Sequence, residues 1–249
     1  MWRFILIFLP FTLFAHFPLY LPKLTDKIRH KRCMLETSIG INAHVKIKIS
    51  YPALFGLDPL VLHVNQSLQE DASLHYDQYL QQAHLFRDHT LEDGASQEFQ
   101  YCLYPVYQNP TMISIFGYES HDKGFSRDSI RVVTRTFSQD NQDIYEVVLD
   151  DLFLSREQSR QFLLQYCESY FQAHKYGYFA FESSIWPKLK PEHLDTFVLT
   201  SEGLLLIFQN YVIRGQDDYP ATLLIPYTNL APLAKPGGLI FTIIDLLHN

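Results

Sequence analysis

The chain has 249 residues, of which 47% are hydrophobic and 19% are charged, and its formal net charge is −7. This length allows one large domain or two small ones with a sizeable core. The acidic balance argues against nucleic acid as a partner, because phosphate binding needs a basic surface. The 16 Tyr and 19 Phe favour a strand-rich fold.

The N-terminus resembles a secretory signal peptide, which we assign to residues 1–15. Arg3 precedes an apolar run from Phe4 to Ala15, which is too short to span a bilayer comfortably, where about 20 residues are needed. We therefore expect an exported protein, periplasmic or otherwise extracytoplasmic. The basic residues between Lys23 and Arg32 favour the alternative of an uncleaved N-terminal membrane anchor. A cytoplasmic protein is the third alternative.

Three cysteines, Cys33, Cys102 and Cys167, leave an odd count and form no C-x-x-C motif. In an exported chain, Cys102 on a predicted strand and Cys167 on a predicted helix could form a disulfide. The alternative is that all three are free thiols, the buried ones acting as small apolar groups.

The first half of the chain contains a linker, a strand and a long helix. Residues 16–38 have mixed charge and proline and are predicted to be the linker. Alternating apolar residues predict a strand over 39–49, which Tyr51-Pro52 should end. A four-residue apolar spacing predicts a helix over 59–87, with Asp58 as its N-cap.

The rest of the chain is predicted to consist of strands on short turns and a second helix over 156–174, which Ser155 and Gln158 begin with a capping box. The late stretch Leu194–Leu230 predicts two strands on a turn at Gly203, a crossing and a third strand. The apolar end of the chain is either a docked helix or a last strand. The predicted strands lie at 97–107, 112–118, 129–138 and 144–149.

This order of elements predicts an α+β fold with antiparallel sheets and two principal helices, because it lacks regular βαβ alternation. We assign residues 39–249 to one domain. A division into two subdomains, about 39–150 and 151–235, is the alternative.

The polar residues give no pattern of catalytic or metal-binding residues. His84 and His89 are five residues apart and do not share a helical face. The acidic pairs Asp150-Asp151 and Asp217-Asp218 are interpreted as loop charges and caps. No G-x-S-x-G motif or phosphate-binding glycine loop occurs. We therefore predict no metal site, no cofactor and no catalytic residue.

The aromatic residues suggest packing first and binding second. Tyr166, Tyr170 and Phe171 have helical spacing and are interpreted as core packing rather than as a sugar-binding platform. A partner-binding surface near the late strands is the other candidate, because Tyr is enriched at interfaces. Its residues would be Tyr211, Asp217, Asp218, Tyr219 and Tyr227.

Six short motifs over residues 39–233 carry a family resemblance. They are Tyr51-Pro52, Asp151–Phe153, Phe197–Thr200, Glu202–Leu204, Asn210-Tyr211 and Ile225–Tyr227. In this order they resemble the extracytoplasmic domain shared by RsiV-type anti-sigma factors and the N-terminal region of PdaC-type peptidoglycan deacetylases, a domain family of unknown function. The crossing Gly215–Tyr219 departs from the family pattern, so this loop is where we expect specificity of this chain's own.

The resemblance implies a partner rather than a reaction. The anti-sigma members bind lysozyme with this domain, so it implies a lysozyme-like protein or a cell-wall component as the partner. We expect neither sigma-factor binding nor deacetylase chemistry, because both belong to other segments of those proteins. The hypothesis is a non-catalytic exported binding domain of the cell envelope. An envelope glycan hydrolase or deacetylase-like enzyme with unidentified catalytic residues, and a structural envelope protein, are the alternatives.

Overall fold

The computed structural model describes residues 28–39, 45–87, 97–122, 129–140, 143–173, 189–209, 212 and 220–248. Nine strands and four α-helices lie in these residues. The strands are β1 (His30–Ile39), β2 (Val45–Leu54), β3 (Gln97–Asn109), β4 (Met112–Asp122), β5 (Ser129–Asp140), β6 (Asp143–Glu146), β7 (Phe197–Leu199), β8 (Gly203–Phe208) and β9 (Ala221–Pro226). The helices are α1 (Pro59–Arg87), α2 (Arg156–Ala173), α3 (Tyr227–Leu230) and α4 (Leu239–His248).

The larger sheet has six strands in the order β1-β2-β3-β4-β5-β6. All its neighbours pair antiparallel except β2 and β3, which are parallel. A parallel pair needs a crossover, and α1 lies in the connection between the two strands. The amide N–H of Leu60 donates to Asp58 Oδ1 over 2.9 Å, so Asp58 caps this helix as predicted.

The smaller sheet, β7-β8-β9, is antiparallel and is buried on both faces. Alternate residues of β8 pack into two different parts of the core, as the two-residue period of a strand requires. Leu205 and Ile207 pack with Val132 of the larger sheet. Leu204 and Leu206 lie in the cluster that also contains buried residues of α2 and α4. Strand β8 is therefore covered on both faces.

The described elements form four layers, in the order α1, larger sheet, smaller sheet, and α2 with α4. Buried α1 residues such as Val64 and Leu68 share a cluster with Ile47 and Ile49 of β2. Phe171 of α2 and Ile243 of α4 lie in the cluster on the far side of the smaller sheet. The core is thus divided among three interfaces.

Two side-chain amides join these layers to backbone that has no strand beside it. Asn65 of α1 accepts from the N–H of Leu54 over 2.7 Å and donates to its carbonyl over 2.9 Å. Gln209, just after β8, makes the same pair of bonds to Val132 of β5, both over 2.8 Å. Each amide satisfies both backbone groups of one residue, as a neighbouring strand would.

The α+β class, with mostly antiparallel strands, is confirmed, but the expectation of two principal helices is not, since four helices lie in the described residues. The predicted helix 59–87 and the late three-stranded stretch are present, and the end of the chain is a helix. Part of the predicted linker 16–38 forms β1.

One local prediction is wrong. Strand β2 continues through Pro52 to Leu54, because its pairing with β3 ends at Ser50 and the missing proline N–H breaks no bond there. Gly203, at the predicted turn, does not have a positive φ. It is needed because a Cβ at this position would lie 2.3 Å from the carbonyl oxygen of Ile225 on β9.

Candidate functional site

A shallow groove of about 400 Å³ runs along one side of α2. Five residues line it, and we call it the α2 groove: Phe162, Gln165, Tyr166, Ser169 and Tyr170. Their spacing of three and four residues places them on one side of the helix. Leu163 and Cys167 lie on a different side of the same helix and are buried in the core.

The core holds the aromatic rings of the α2 groove in place. Phe162, Tyr166 and Tyr170 are half-buried and pack against the cluster that covers the smaller sheet. The ring centroids of Phe162 and Tyr166 lie 5.9 Å apart at an interplanar angle of 37°. Tyr170 packs edge-on against Phe171 at 5.7 Å, and Phe171 packs in the same way on Phe208 of β8 at 5.3 Å. One side of each ring is therefore covered by the core and the other side faces the groove.

The polar groups of the groove are uncharged. Gln165 and Ser169 are exposed and supply an amide and a hydroxyl beside the rings. The hydroxyl of Tyr166 accepts a hydrogen bond from Asn229 Nδ2 over 3.2 Å, which ties the groove to α3. Apolar ring faces next to neutral donors and acceptors suit a ligand with C–H faces and hydroxyl or amide groups.

A second group of polar residues lies between α1 and the larger sheet. The Tyr101 hydroxyl donates to the Asp71 carboxylate, and the His75 ring stacks on Tyr101 with centroids 4.0 Å apart. Arg135 Nη1 lies 3.9 Å from the same carboxylate, and its Nη2 is 2.7 Å from Glu146. These five residues form what we call the α1 network.

The α1 network is built to hold a neutral phenol. Burial raises the pKa of Tyr101, and the nearby Asp71 carboxylate raises it further. Tyr79, whose hydroxyl donates to Glu119 over 2.8 Å, has its pKa raised by burial and by that carboxylate. Both tyrosines therefore remain hydrogen-bond donors to a carboxylate even at an alkaline pH at which an exposed tyrosine ionises. The network attaches the helix to the sheet.

Sequence reasoning named the first group only as an alternative and missed the second. Tyr166, Tyr170 and Phe171 pack against the core as predicted, but Tyr166 and Tyr170 are also half-exposed and line the groove. The only sequence signal for the α1 network was the four-residue spacing of Asp71 and His75 on the helix. Their partners come from β3, β5 and β6, whose alignment no local pattern shows.

Only one residue of the predicted partner-binding surface lies in the described part of the chain. Tyr227 is buried, and its hydroxyl donates to the carbonyl oxygen of Thr200 over 2.7 Å. It therefore does not fit a surface role, and its aromatic ring and hydroxyl serve the core instead. Tyr211, Asp217, Asp218 and Tyr219 lie outside the described residues.

The cysteines are free thiols in the structure. Cys102 and Cys167 are buried and do not form the disulfide that was one of the two alternatives. Burial raises the pKa of both thiols, that of Cys167 to about 12. A thiol that stays protonated is a poor nucleophile, so neither residue is activated.

The acidic pair before α2 takes part in ion pairing and capping. Asp150 binds Arg160 through both carboxylate oxygens, at 2.7 and 3.1 Å. The Arg160 guanidinium also reaches Asp195 at 2.6 Å. Asp151 accepts from the N–H of Val148 over 3.0 Å. Within the described ranges, no three His, Cys, Asp or Glu residues come together as metal ligands would.

Within the described part of the chain, no helix combines the length and the apolar character that crossing a bilayer requires.

The fold has known relatives among crystal structures. A member of the DUF3298 family from Bacteroides fragilis superimposes with a TM-score of 0.60 at 13% identity, covering 89% of this chain and 99% of that one. A DUF3298 family protein from Pseudomonas aeruginosa gives 0.59 at 16% identity, with 86% and 97% covered. No family model and no curated protein matches the sequence. At these identities the likeness shows the fold alone.

Proposed function

We propose that this chain is a non-catalytic binding domain on the extracytoplasmic side of a cell envelope, and that the α2 groove binds a segment of a neutral glycan. The observation that carries the proposal is the row of half-exposed rings with neutral polar groups between them. The C–H face of a sugar ring packs on an aromatic ring, while its hydroxyl and acetamido groups hydrogen-bond to groups such as Gln165 and Ser169.

The lack of charge in the groove favours binding over hydrolysis at this place. Glycoside hydrolysis generally requires two carboxyl groups on either side of the scissile bond. The five residues that line the α2 groove include none. Glu157 and Glu168 lie on the same helix but outside the lining. Asp150, just before the helix, is paired with Arg160.

The envelope location is supported by the sequence. The signal-peptide-like residues 1–15 support export, with a membrane anchor as the alternative. The six motifs of the RsiV- and PdaC-like domain support a partner in the same compartment, either a cell-wall glycan or a lysozyme-like protein. Fractionation of native cells and N-terminal sequencing of the purified chain test this part. Recovery from the cytosol with residues 1–15 intact would contradict it.

Binding to soluble peptidoglycan fragments and to chitin oligosaccharides tests the groove. We expect saturable binding by calorimetry or NMR, and a loss of about tenfold or more in affinity in Tyr166→Ala and Tyr170→Ala, since each removes a stacking surface. Tyr145→Ala, which removes an exposed tyrosine from β6, is the matched control and should bind normally. Thermal unfolding of each variant shows whether it has kept its fold.

Two results would contradict the proposed site. One is the absence of binding to any of these saccharides by the unmodified chain. The other is binding that the groove variants leave unchanged. Saturable binding of lysozyme, unaffected by the same variants, would support a protein-binding domain whose contact surface lies outside the α2 groove.

A further inference from the structure

Among the strands that the structure describes, β1 forms an edge of the larger sheet and is long for an edge strand. It pairs with β2 over all ten residues without a bulge, and it contains no proline. The strand at the opposite edge, β6, has only four residues. Short edge strands, bulges and prolines protect an edge against pairing with another chain, and β1 has none of these three. Its protection consists of charged residues, which oppose pairing unless the facing strand supplies charges of opposite sign.

The side chains of β1 that point away from α1 have a definite order: a cation, an apolar group and an anion. Met34 pairs with Ser50 of β2, between positions 49 and 51 that pack on the α1 side, so it points to the opposite face with Arg32 and Glu36. Met34 is 60% exposed. The two charges lie two residues before and two residues after it.

Both charged side chains are held at this edge by contacts within the sheet. Arg32 Nε donates to Ser50 Oγ over 2.7 Å, and its guanidinium lies 4.8 Å above the ring of Tyr104. Glu36 lies 3.1 Å from Lys46 Nζ. Held in this way, each side chain loses less conformational freedom when it pairs across the edge.

We propose that β1 pairs antiparallel with β1 of a second copy of this chain, around a two-fold axis at Met34. In this register Met34 faces its own copy, and Arg32 of each chain faces Glu36 of the other. Two opposite-charge cross-strand pairs then flank an apolar contact on one face of a continuous sheet.

Charge complementarity selects this register. The two-fold axis keeps both α1 helices on the same side of the continuous sheet. Facing residues must then point to the same face of the sheet, so the possible registers differ by steps of two residues. A step in one direction places Arg32 opposite Met34, and a step in the other places Glu36 opposite Met34. Only the register centred on Met34 gives both charges their partners. Because a single strand pair is a small interface, we expect the dimer to be reversible.

Disulfide trapping tests the register in the full chain with Cys33→Ser. Met34→Cys should form a disulfide-linked dimer rapidly, because facing Cα atoms lie about 4.5–5.5 Å apart, within disulfide range. Ser38→Cys is the matched control, exposed on the same face of the same strand. It faces His30, so the two cysteines lie about 26 Å apart and should not cross-link.

Sedimentation equilibrium tests the charges without any cross-link. The unmodified chain should dimerise reversibly, and Arg32→Glu or Glu36→Arg should weaken the dimer about tenfold or more by facing like charges. The double charge reversal should recover most of this loss, whereas Glu70→Arg on α1 should have no effect. A monomer at all concentrations, equal trapping of Met34→Cys and Ser38→Cys, or a dimer insensitive to both reversals would overturn the proposal.

Discussion

At the scale of single residues, side-chain amides join neighbouring layers by completing the edge of a strand. The backbone of Val132 pairs with β4 on one side and has no strand on the other, where the Gln209 amide takes the strand's place. Asn65 does the same for Leu54 at the end of β2. A residue of a different length or charge at either position leaves a backbone donor and acceptor unpaired.

Replacing Gln209 with alanine should lower the free energy of unfolding by about 2–4 kcal/mol, because it leaves two partly buried backbone groups without partners. Gln209→Glu should also destabilise, since its carboxylate accepts from the N–H of Val132 but cannot donate to the carbonyl. Urea unfolding measures both. Gln66→Ala, which removes an exposed amide bonded to Glu70, should change stability by less than about 0.5 kcal/mol.

At the scale of elements, α1 is attached to the larger sheet by an apolar face and by the α1 network. The apolar face buries Leu60, Val64, Leu68 and Ala72 over the sheet. The network adds the bond from Tyr101 of β3 to Asp71 of the helix, with Arg135 and Glu146 beside it. The carboxylate of Asp71 is partly buried and needs a hydrogen-bond donor. The Tyr101 hydroxyl supplies one, and this bond therefore contributes directly to the docking of α1 on the sheet.

Tyr101→Phe should lower the free energy of unfolding by about 1–3 kcal/mol, because the Asp71 carboxylate loses its hydroxyl donor while the ring still fills its place. Thermal or urea unfolding measures this change. Tyr145→Phe, which removes a hydroxyl from an exposed tyrosine of β6, is the matched control and should stay within about 0.5 kcal/mol. A value for Tyr101→Phe as small as that of the control would show that the network does not hold α1.

Elements with a strong local period could be predicted from the sequence. The helix 59–87 and the late strands follow their apolar spacing, and the cap at Asp58 follows helix chemistry. Strand β1 could not, because its exposed, charged residues resemble a linker until they pair with β2. The exposure of the aromatic rings in the α2 groove could not be predicted, because half-exposed and buried aromatic residues have the same helical spacing.

At the scale of the whole molecule, buried tyrosine side chains should make the folded state less stable at alkaline pH. Burial is the leading cause of the raised pKa of Tyr79, Tyr101 and Tyr118, which spread over α1, β3 and β4. Their ordinary pKa is 10.0. Above that pH the unfolded chain loses protons that the folded chain keeps, so stability is complete below about pH 10 and declines as the pH rises.

Each such tyrosine should cost about 1.4 kcal/mol of stability per pH unit between the unfolded and folded pKa values. Urea unfolding of the unmodified chain and of Tyr101→Phe, at about pH 9 and about pH 11, measures the share of Tyr101. We expect the decline in Tyr101→Phe to be smaller by about 1.4 kcal/mol. Equal declines in the two proteins would mean that Tyr101 ionises as easily in the folded chain as in the unfolded one.

The parallel pairing of β2 with β3 bears on the order in which the chain folds. Neighbouring strands from β3 to β6 are joined by short connections, so they can pair with little loss of chain entropy. The edge of β3 that faces β2 must wait for a crossover that contains the 29 residues of α1. Until that helix docks, β3 is an unpaired edge in the middle of the future sheet. We therefore expect this chain to be most prone to pairing with other chains early in folding, before its N-terminal third has docked on the rest.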